Sequence, residues 1–511
     1  MVRLVNTIAS NATGLYKARE IIPGVLPVTA DNGGQPVKWY EREPNDYGDF
    51  GADVTRRARQ PINNDRQRKK GTPVGQTASA GFTQDLTATN TVEDFEEFCF
   101  AEARRKSRLL TAGVTATGYT VTEGGLDYVA GTLVFAKGHG LAANNGLREI
   151  TADATDIEVS AAGLFVDGTL GEISRVGFQF PVADLAVVTT GPLPQLVSDT
   201  VDLTTLGLIP GEIIYVGDAG HNFAIAANRG YARVFSVTET AITLDKTDAA
   251  FVATDGAGVS VRIFFGTVIK NEKANLQKTF TSSLRRLLGQ RDLDSDAIQS
   301  EVVTRCVANE LTLDIPEEDI ITTDLAYIGA DYLLFGDDAE EVGGVFIGVE
   351  EADAINSTRD SVRASMIAYP SGGNNSAPIP LFAAFTELNL TINNNVSENK
   401  AVTVYGAYSL TPGFFEVNGS FDAYFCDVES LRAVRDNKDV SFLFAGWKER
   451  KGFAIDLPML GINTGGLDVA VNEPITCSVD GEAATGKKYN AAMDHTILLV
   501  FFDYLPQQAA V

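Results

Sequence analysis

FFEVNGSFDAYFCDVESLRAVRDNKDVSFLFAGWKERKGFAIDLPML, residues 414–460, combines strand and helix patterns within one short stretch. Apolar and polar residues alternate from Phe414 to Phe425, which is typical of a half-buried β-strand. Asp427 can serve as an N-cap, and VESLRAV after it predicts a short amphipathic helix. Val440–Phe444 and Phe453–Met459 follow as two strands joined by the charged turn WKERKG. The stretch therefore predicts a strand, a helix and a hairpin in that order.

The composition of the whole chain favours a large, mainly β protein. The 511 residues leave room for two to four domains, because a single core stops growing near about 250–300 residues. Hydrophobic residues make up 44% and charged residues 21%, and the 48 glycines favour many turns. The net charge of −26 opposes binding to nucleic-acid phosphates. It suits either solubility or a surface along which DNA slides without sticking.

Targeting and redox signals are weak. The first twenty residues lack the apolar segment of a signal peptide, and no window approaches 18 apolar residues, so we expect no membrane insertion. Four cysteines lie far apart with no CxxC pair, which predicts free thiols in a reducing cytoplasm. They are Cys99, Cys306, Cys426 and Cys477.

A cluster of seven basic residues stands out in this acidic chain. Its members are Arg56, Arg57, Arg59, Arg66, Arg68, Lys69 and Lys70, and only Asp65 opposes them. Residues 41–75 are rich in Pro, Gly, Asn, Asp and Arg, which predicts a long loop. Such a loop is either a solvated segment or a basic arm that docks onto a neighbouring copy.

A second helix is predicted from TVEDFEEFCFAEARRKSRLL, residues 91–110. Thr91 is placed to cap its first turn, which carries Glu93 and Asp94. Arg104, Arg105 and Lys106 would then lie in its last turn.

An internal repeat occupies the middle of the chain. Gly131 and Gly211 each open an apolar strand that is followed by Ala-Ala-Asn-x-Gly, a further strand, a turn and an alternating strand. Asn144 and Gly146 of the first copy correspond to Asn228 and Gly230 of the second. The repeat predicts two β-modules of about 80 residues, over 113–190 and 191–268.

Signatures of catalysis are sparse. The three histidines, His139, His221 and His495, have no HExxH or CxxC partner motif, so turn or packing roles are expected. Residues 481–488, GEAATGKK, match a phosphate-binding loop except that Lys488 replaces the magnesium-binding hydroxyl residue; a polar hairpin loop fits better. Adjacent acidic pairs point to opposite faces of a strand and suit solvated loops. We therefore expect no enzyme activity, no metal and no cofactor.

With NGSFDAYF leading into the helix and FAIDLPML following the hairpin, the element order resembles the major tail tube protein of long-tailed (siphovirus-type) bacteriophages. The resemblance covers most of residues 1–112 and 268–511. It implies a tail-tube-type β-sandwich with a flanking α-helix, in which the core is split into 1–112 and 269–511 and the two small β-domains are inserted between them.

The same resemblance implies a structural virion protein. Six copies would join edge to edge into a ring, and rings would stack into a tube with an acidic channel for DNA passage during genome ejection. Tape measure, tail tip and terminator proteins would be its partners, with assembly in the host bacterial cytoplasm. The basic arm would then contact the next ring.

Two other functions fit part of the sequence. The repeated modules suit a cell-surface or carbohydrate-binding protein, although Trp39 and Trp447 both lie outside them. Another virion component, of capsid or sheath, is the second alternative.

Overall fold

A computed structural model describes most of the chain. The described residues are 13–27, 37–60, 62, 67, 69–87, 91–105, 108–122, 124–125, 128–155, 158–254, 256, 258–273, 275–290, 298–336, 345–349, 352–369, 380–382, 384–425 and 427–506.

The protein is mainly β, and two α-helices occur among the described residues. The N-terminal elements are β1 (Gly14–Arg19), β2 (Lys38–Arg42), β3 (Pro44–Tyr47), β4 (Gly51–Ala58), β5 (Gly71–Asp85) and α1 (Thr91–Phe98). The repeated region holds β6 (Arg108–Val114), β7 (Gly118–Val121), β8 (Thr132–Lys137), β9 (Gly146–Glu149), β10 (Glu158–Ser160), β11 (Gly171–Gln179), β12 (Ala186–Val188), β13 (Gln195–Val197), β14 (Ile213–Val216), β15 (Gly230–Val237), β16 (Ala241–Asp245), β17 (Arg262–Phe264) and β18 (Thr267–Lys270). The C-terminal elements are β19 (Ser282–Gln290), β20 (Ile298–Ile315), β21 (Thr322–Gly329), β22 (Asp331–Phe335), β23 (Val345–Ile347), β24 (Ser361–Ala368), β25 (Phe385–Asn393), β26 (Ser397–Asn399), β27 (Ser409–Thr411), β28 (Glu416–Tyr424), α2 (Val428–Arg435), β29 (Val440–Lys448), β30 (Lys451–Asp468), β31 (Thr476–Ala484) and β32 (Leu498–Phe502).

The stretch at 414–460 has the predicted order of strand, helix and hairpin, formed by β28, α2, β29 and β30. The side chain of Asp427 accepts a hydrogen bond from the backbone N–H of Glu429, as expected for an N-cap. The turn between β29 and β30 is tighter than predicted, because Lys448 already pairs with Lys451. Glu449 and Arg450 form it with φ of 49° and 69°, so a two-residue hairpin with left-handed backbone is reached without glycine.

The chain forms two compact units, each built from three segments: 1–101, 272–357 and 387–419 in the first unit, and 102–271, 358–386 and 420–511 in the second. In the first unit β20 is 18 residues long and has two sets of neighbours. Its first half pairs with β19 and β22, and its second half pairs with β21 and β25. Arg305, with φ of 51°, lies where the neighbours change.

Helix α1 belongs to the first unit and packs against β1 and β2 through buried ion pairs. Lys17 on β1 is 3% exposed, and its Nζ lies 2.8 Å from a carboxylate oxygen of Asp94 and 2.6 Å from one of Glu97. Arg42 on β2 also contacts Asp94, at 3.0 Å. Burial alone would raise the pKa of Asp94, but Arg42 and Lys17 outweigh it and the net pKa is lowered. The helix is thus held by ion pairs as well as by Phe95 and Phe98, which are buried.

The helix is shorter than the sequence pattern predicts. It ends at Phe98, and Phe100 follows with φ of 47°, a left-handed conformation that does not continue a helix. Two of the three basic residues expected in its last turn, Arg104 and Arg105, lie elsewhere in the fold, and Lys106 lies outside the described residues. Arg104 forms a β-bridge with Val268, and the Arg105 guanidinium contacts the Glu212 carboxylate.

The second unit contains two successive sets of six strands with similar pairing. Strands β6–β11 recur as β12–β17: each copy begins with a hairpin (β6–β7 and β12–β13), whose second strand pairs with β10 or β16. Each module has its own buried core, one around Tyr119 and Ile173 and the other around Phe180 and Ile242. Pairing of β11 with β17 joins the two modules in one sheet.

The two corresponding asparagines of the repeat, Asn144 and Asn228, make the same hydrogen bonds in their own modules. Each ends a single 3₁₀ turn, Ala142–Asn144 or Ala226–Asn228, and each is fully buried. The Asn144 side chain donates to the carbonyl of Phe165 at 2.9 Å and accepts from its N–H at 2.9 Å. Asn228 makes the equivalent bonds with Val252, at 2.8 and 2.7 Å. These side chains tie the turn to a distant loop that forms no strand of its own.

Replacing either asparagine with alanine is expected to destabilise the second unit by about 1–3 kcal/mol, because a buried N–H and a buried carbonyl lose their partners. Urea unfolding followed by Trp447 fluorescence, in a Trp39→Phe background, measures this unit. Asn463→Ala, at an exposed position of β30, is the matched control and should change stability by less than about 0.5 kcal/mol. Equal stability of Asn144→Ala and Asn463→Ala would contradict the structural role of the bonds.

The modules share a further core with the C-terminal strands of the same unit. Leu133, Ile213 and Phe264 pack with Leu443 and Val500 in one buried cluster. The predicted boundaries at 113, 190 and 268 stay predictions, but a deletion of this region would expose that face.

Arg233 is the centre of a buried charge network in the second unit. It is 1% exposed and binds Asp245 with two hydrogen bonds of 2.9 and 2.6 Å. It also donates to Asp456 at 3.1 Å and to the Tyr369 hydroxyl at 3.1 Å. Burial raises the pKa of Asp456 to about 6 despite Arg233. Lys246 lies over the Tyr369 ring, 3.9 Å from its centroid, and burial lowers its pKa to about 7.

Three of the four cysteines are described, and all three are free and buried: Cys99, Cys306 and Cys477. Burial raises the pKa of each of these thiols. Cys426 lies outside the described residues. No helix among the described residues is long and apolar enough to cross a membrane.

Candidate assembly surface

The segment predicted as a long loop, 41–75, is largely a β-hairpin. It contains β3, β4 and the first five residues of β5, and Gly51–Ala58 pairs with 71–79. β4 contains one threonine, Thr55, and two adjacent arginines, Arg56 and Arg57, and all three are exposed, so its sequence lacks the buried apolar face that predicts a strand. The pairing of β4 with β5 supplies the regular structure instead.

Both faces of the outer hairpin are exposed. Residues 53–57 of β4 and 72–74 of β5 are all exposed, although successive side chains of a strand point to opposite sides. Val54 and Val74 are 39% and 52% exposed. Beyond Gln76, β5 enters the sheet by pairing with β21 from Ala78 to Asp85. We call residues 51–75 the basic arm.

Five of the seven predicted contact residues are described, and all five lie on the basic arm and are exposed: Arg56, Arg57, Arg59, Lys69 and Lys70. Arg56 and Arg57 are neighbours on β4 and so point to opposite faces of the arm. Arg66 and Arg68 lie outside the described residues.

The base of the arm is anchored by the rest of the first unit. The N–H of Gln76 donates to the carbonyl of Tyr405 at 3.0 Å, and its side-chain amide donates to Asp331 at 2.9 Å. Lys400 donates to the Thr77 hydroxyl at 3.2 Å. A fixed base and an exposed outer part are what an arm needs to present charge to another molecule.

An acidic cleft at the far end of β5 was not predicted. It has a volume of about 420 Å³, and four carboxylates line it: Glu41, Glu43, Asp85 and Asp353. Arg42 also lines it, but its guanidinium contacts the buried Asp94. These carboxylates are dispersed over more than three hundred positions of sequence, and only the pairing of β3 with β5 and the return of the chain near 353 bring them together.

The other candidate residues have structural environments. His495 is fully buried against Gly211, and burial lowers its pKa to about 3, so it is neutral. His139 packs on the Tyr119 ring at 5.3 Å, and His221 lies 2.6 Å from the Ser260 hydroxyl. Gly481 lies within β31, paired with Ile462, so this end of GEAATGKK is a strand and not the expected hairpin loop. Among the described residues no group of three or more His, Cys, Asp or Glu side chains could hold a metal ion.

Together, a mainly β subunit and an exposed charged hairpin are typical of a structural protein that associates with other subunits. The chain belongs to the phage tail tube protein family, whose model matches residues 10–483. This places the protein in the tail of a phage virion, among other tail proteins.

Comparison with curated proteins gave no match. Among solved structures, a chain described as Phage phi92 endosialidase is 10% identical, with 93% of this chain and 72% of that chain covered and a TM-score of 0.13. A likeness this low carries no argument about fold or function.

Proposed function

We propose that this protein is the major tail tube subunit of a long-tailed, siphovirus-type phage, and that it forms hexameric rings stacked into a tube. The observation that carries the proposal is the basic arm, a hairpin exposed on both faces, in a chain of the phage tail tube family. A two-stranded hairpin gains little stability from its own fold, so contact of its exposed arginines and its β4 edge with a neighbouring subunit would stabilise it.

The charge of the chain supports the passage of DNA. Six copies at −26 each would carry a formal charge of −156 per ring. An acidic channel repels phosphates, so the genome passes without forming salt bridges to the wall. The protein works as a scaffold without a cofactor or catalysis, beside tape measure, tail tip and terminator proteins, and it is assembled in the host bacterial cytoplasm.

Removing the charges of the basic arm tests the proposal. Replacing Arg56, Arg57, Arg59, Arg66 and Arg68 with serine is expected to leave the subunit folded and to block stacking. Single exposed ion pairs contribute only about 0.2–1 kcal/mol, but several in each of six subunits act together across a ring. Raising the salt to 1 M should likewise destabilise wild-type tubes, because screening shortens to about 3 Å. Negative-stain microscopy and sedimentation velocity are the measurements.

A matched control removes five basic residues elsewhere, by serine substitution of Arg432, Arg435, Lys438, Lys487 and Lys488. This control should still form tubes. Tubes of normal length from the arm variant would show that the charges of the arm are not needed for stacking. Polyhedral shells, or monomers that bind glycans, from the wild-type protein would point instead to a capsid-type or carbohydrate-binding function.

A further inference from the structure

The basic arm and the acidic cleft lie at opposite ends of one strand. β5 is 15 residues long, and it carries Gly71 at the arm end and Asp85 at the cleft end. At about 3.3 Å per residue these ends are roughly 45 Å apart. Because the second half of β5 is fixed in the sheet by its pairing with β21, the arm cannot fold back to reach the cleft of its own subunit.

The cleft has the charge that the arm needs. None of the ion pairs formed between described residues involves Glu41, Glu43, Asp85 or Asp353. Glu43 and Asp353 are exposed, and Asp85 accepts a hydrogen bond from the side chain of Asn45 at 2.5 Å. Four carboxylates around one cleft repel each other, and an incoming cation relieves that repulsion.

The shape of the cleft, like its charge, suits the basic arm. The arm has arginines on both of its faces. A cleft has walls that can contact both faces of the arm, whereas a flat surface contacts only one. A volume of about 420 Å³ falls in the range of about 300–1,000 Å³ that holds small ligands, so it admits one or two arginine side chains of the arm.

We propose that the acidic cleft is the acceptor for the basic arm of a second copy of this chain. The inference rests on the proposed function and adds the partner surface to it. Because donor and acceptor are different surfaces, the contact is head-to-tail, and between subunits of successive rings such a contact propagates as a stack. The direction of β5 is then the direction in which the stack grows.

Charge reversal on either side tests this assignment. The arm variant is Arg56→Glu/Arg57→Glu/Arg59→Glu, and the cleft variant is Glu43→Lys/Asp353→Lys. Each alone is expected to stop tube growth, because like charges then face each other. A 1:1 mixture should assemble again, since each reversed surface finds its complement on the other variant. A control with the same charge change, Glu317→Lys/Glu416→Lys at exposed positions of the same unit, should assemble as wild type does.

A binding measurement separates this inference from tube formation. The arm variant keeps an intact cleft and stays unassembled, so it can be titrated with a fluorescent synthetic peptide of residues 51–75. Adding the two cleft substitutions to that chain is expected to weaken peptide binding about tenfold or more, and the control substitutions should leave binding unchanged.

The outcomes differ for the two proposals. Equal peptide affinity with and without the cleft substitutions, or normal tubes from the cleft variant, would overturn the acceptor assignment and leave the tube subunit proposal standing. Wild-type protein that stays monomeric at high concentration while the peptide still binds the cleft would contradict the tube proposal instead.

Discussion

Replacing Arg233 with methionine is expected to lower the free energy of unfolding of the second unit by about 3–5 kcal/mol. The substitution fills similar volume but leaves Asp245 and Asp456 buried without their cation, and an uncompensated buried charge is what makes a broken buried pair costly. Urea unfolding followed by Trp447 fluorescence, with Trp39 replaced by phenylalanine, reports on this unit.

The loss should depend on pH in a defined direction. Asp456 already has a pKa raised to about 6, above the usual value of 3.8, and removing Arg233 should raise it further. A carboxyl whose pKa is higher in the folded state binds more protons there, so stability rises as pH falls through the folded pKa. Arg233→Met should therefore regain stability relative to wild type between pH 8 and pH 5.

Arg432→Met is the control for this prediction. Its guanidinium is about half exposed and contacts Glu429 on α2, so the expected change is below about 1 kcal/mol. A similar small change for Arg233→Met, or a deficit that grows as pH falls, would contradict the role assigned to the buried network.

Replacing Lys17 with methionine should destabilise the first unit by a similar amount, about 3–5 kcal/mol. Lys17 contacts both Asp94 and Glu97 of α1 and lies 3.0 Å from the Tyr327 hydroxyl, so one substitution removes a buried cation between the helix and β1. Arg42 still contacts Asp94 and Arg19 still contacts Glu97, but the charge of this buried cluster is no longer balanced. Trp39 fluorescence in a Trp447→Phe background measures this unit.

Two further variants are needed to interpret the result for Lys17→Met. Lys38→Met, on an exposed position of β2, is the control and should cost less than about 0.5 kcal/mol. Lys17→Met/Glu97→Gln should recover part of the lost stability, because it removes one of the two negative charges that lose Lys17 as a partner. If the double variant is no more stable than Lys17→Met, the loss comes from packing and not from charge.

Local sequence patterns predicted much of the fold. The strand, cap and helix at 416–435 and the repeat marked by Asn144 and Asn228 follow from short-range chemistry: alternation, an Asx cap and tight turns. Phe98 as the end of α1 was not predictable in the same way. Charged residues at 102–108 continue a helical pattern, and only the bridge of Arg104 to Val268 shows where the chain goes.

The candidate assembly surface was partly predictable from the sequence. Its basic residues are neighbours in sequence, so a charge count finds them, although their hairpin geometry depends on pairing with β5. The acidic cleft depends on Glu41, Asp85 and Asp353 being brought together by tertiary folding, and single acidic residues in an acidic chain carry no signal. Charge networks such as that of Arg233 are hidden for the same reason, because burial is a property of the folded chain.

The buried thiols affect how well such a particle resists oxidation after its release from the cell. A phage tail is exposed to air-saturated water once it leaves the cell, where an accessible thiolate would be oxidised or would cross-link particles to one another. Cys99, Cys306 and Cys477 are shielded from solvent, and their raised pKa keeps them as unreactive thiols. At these three positions, the protein can therefore be made under reducing conditions and persist under oxidising ones without a change in its covalent structure.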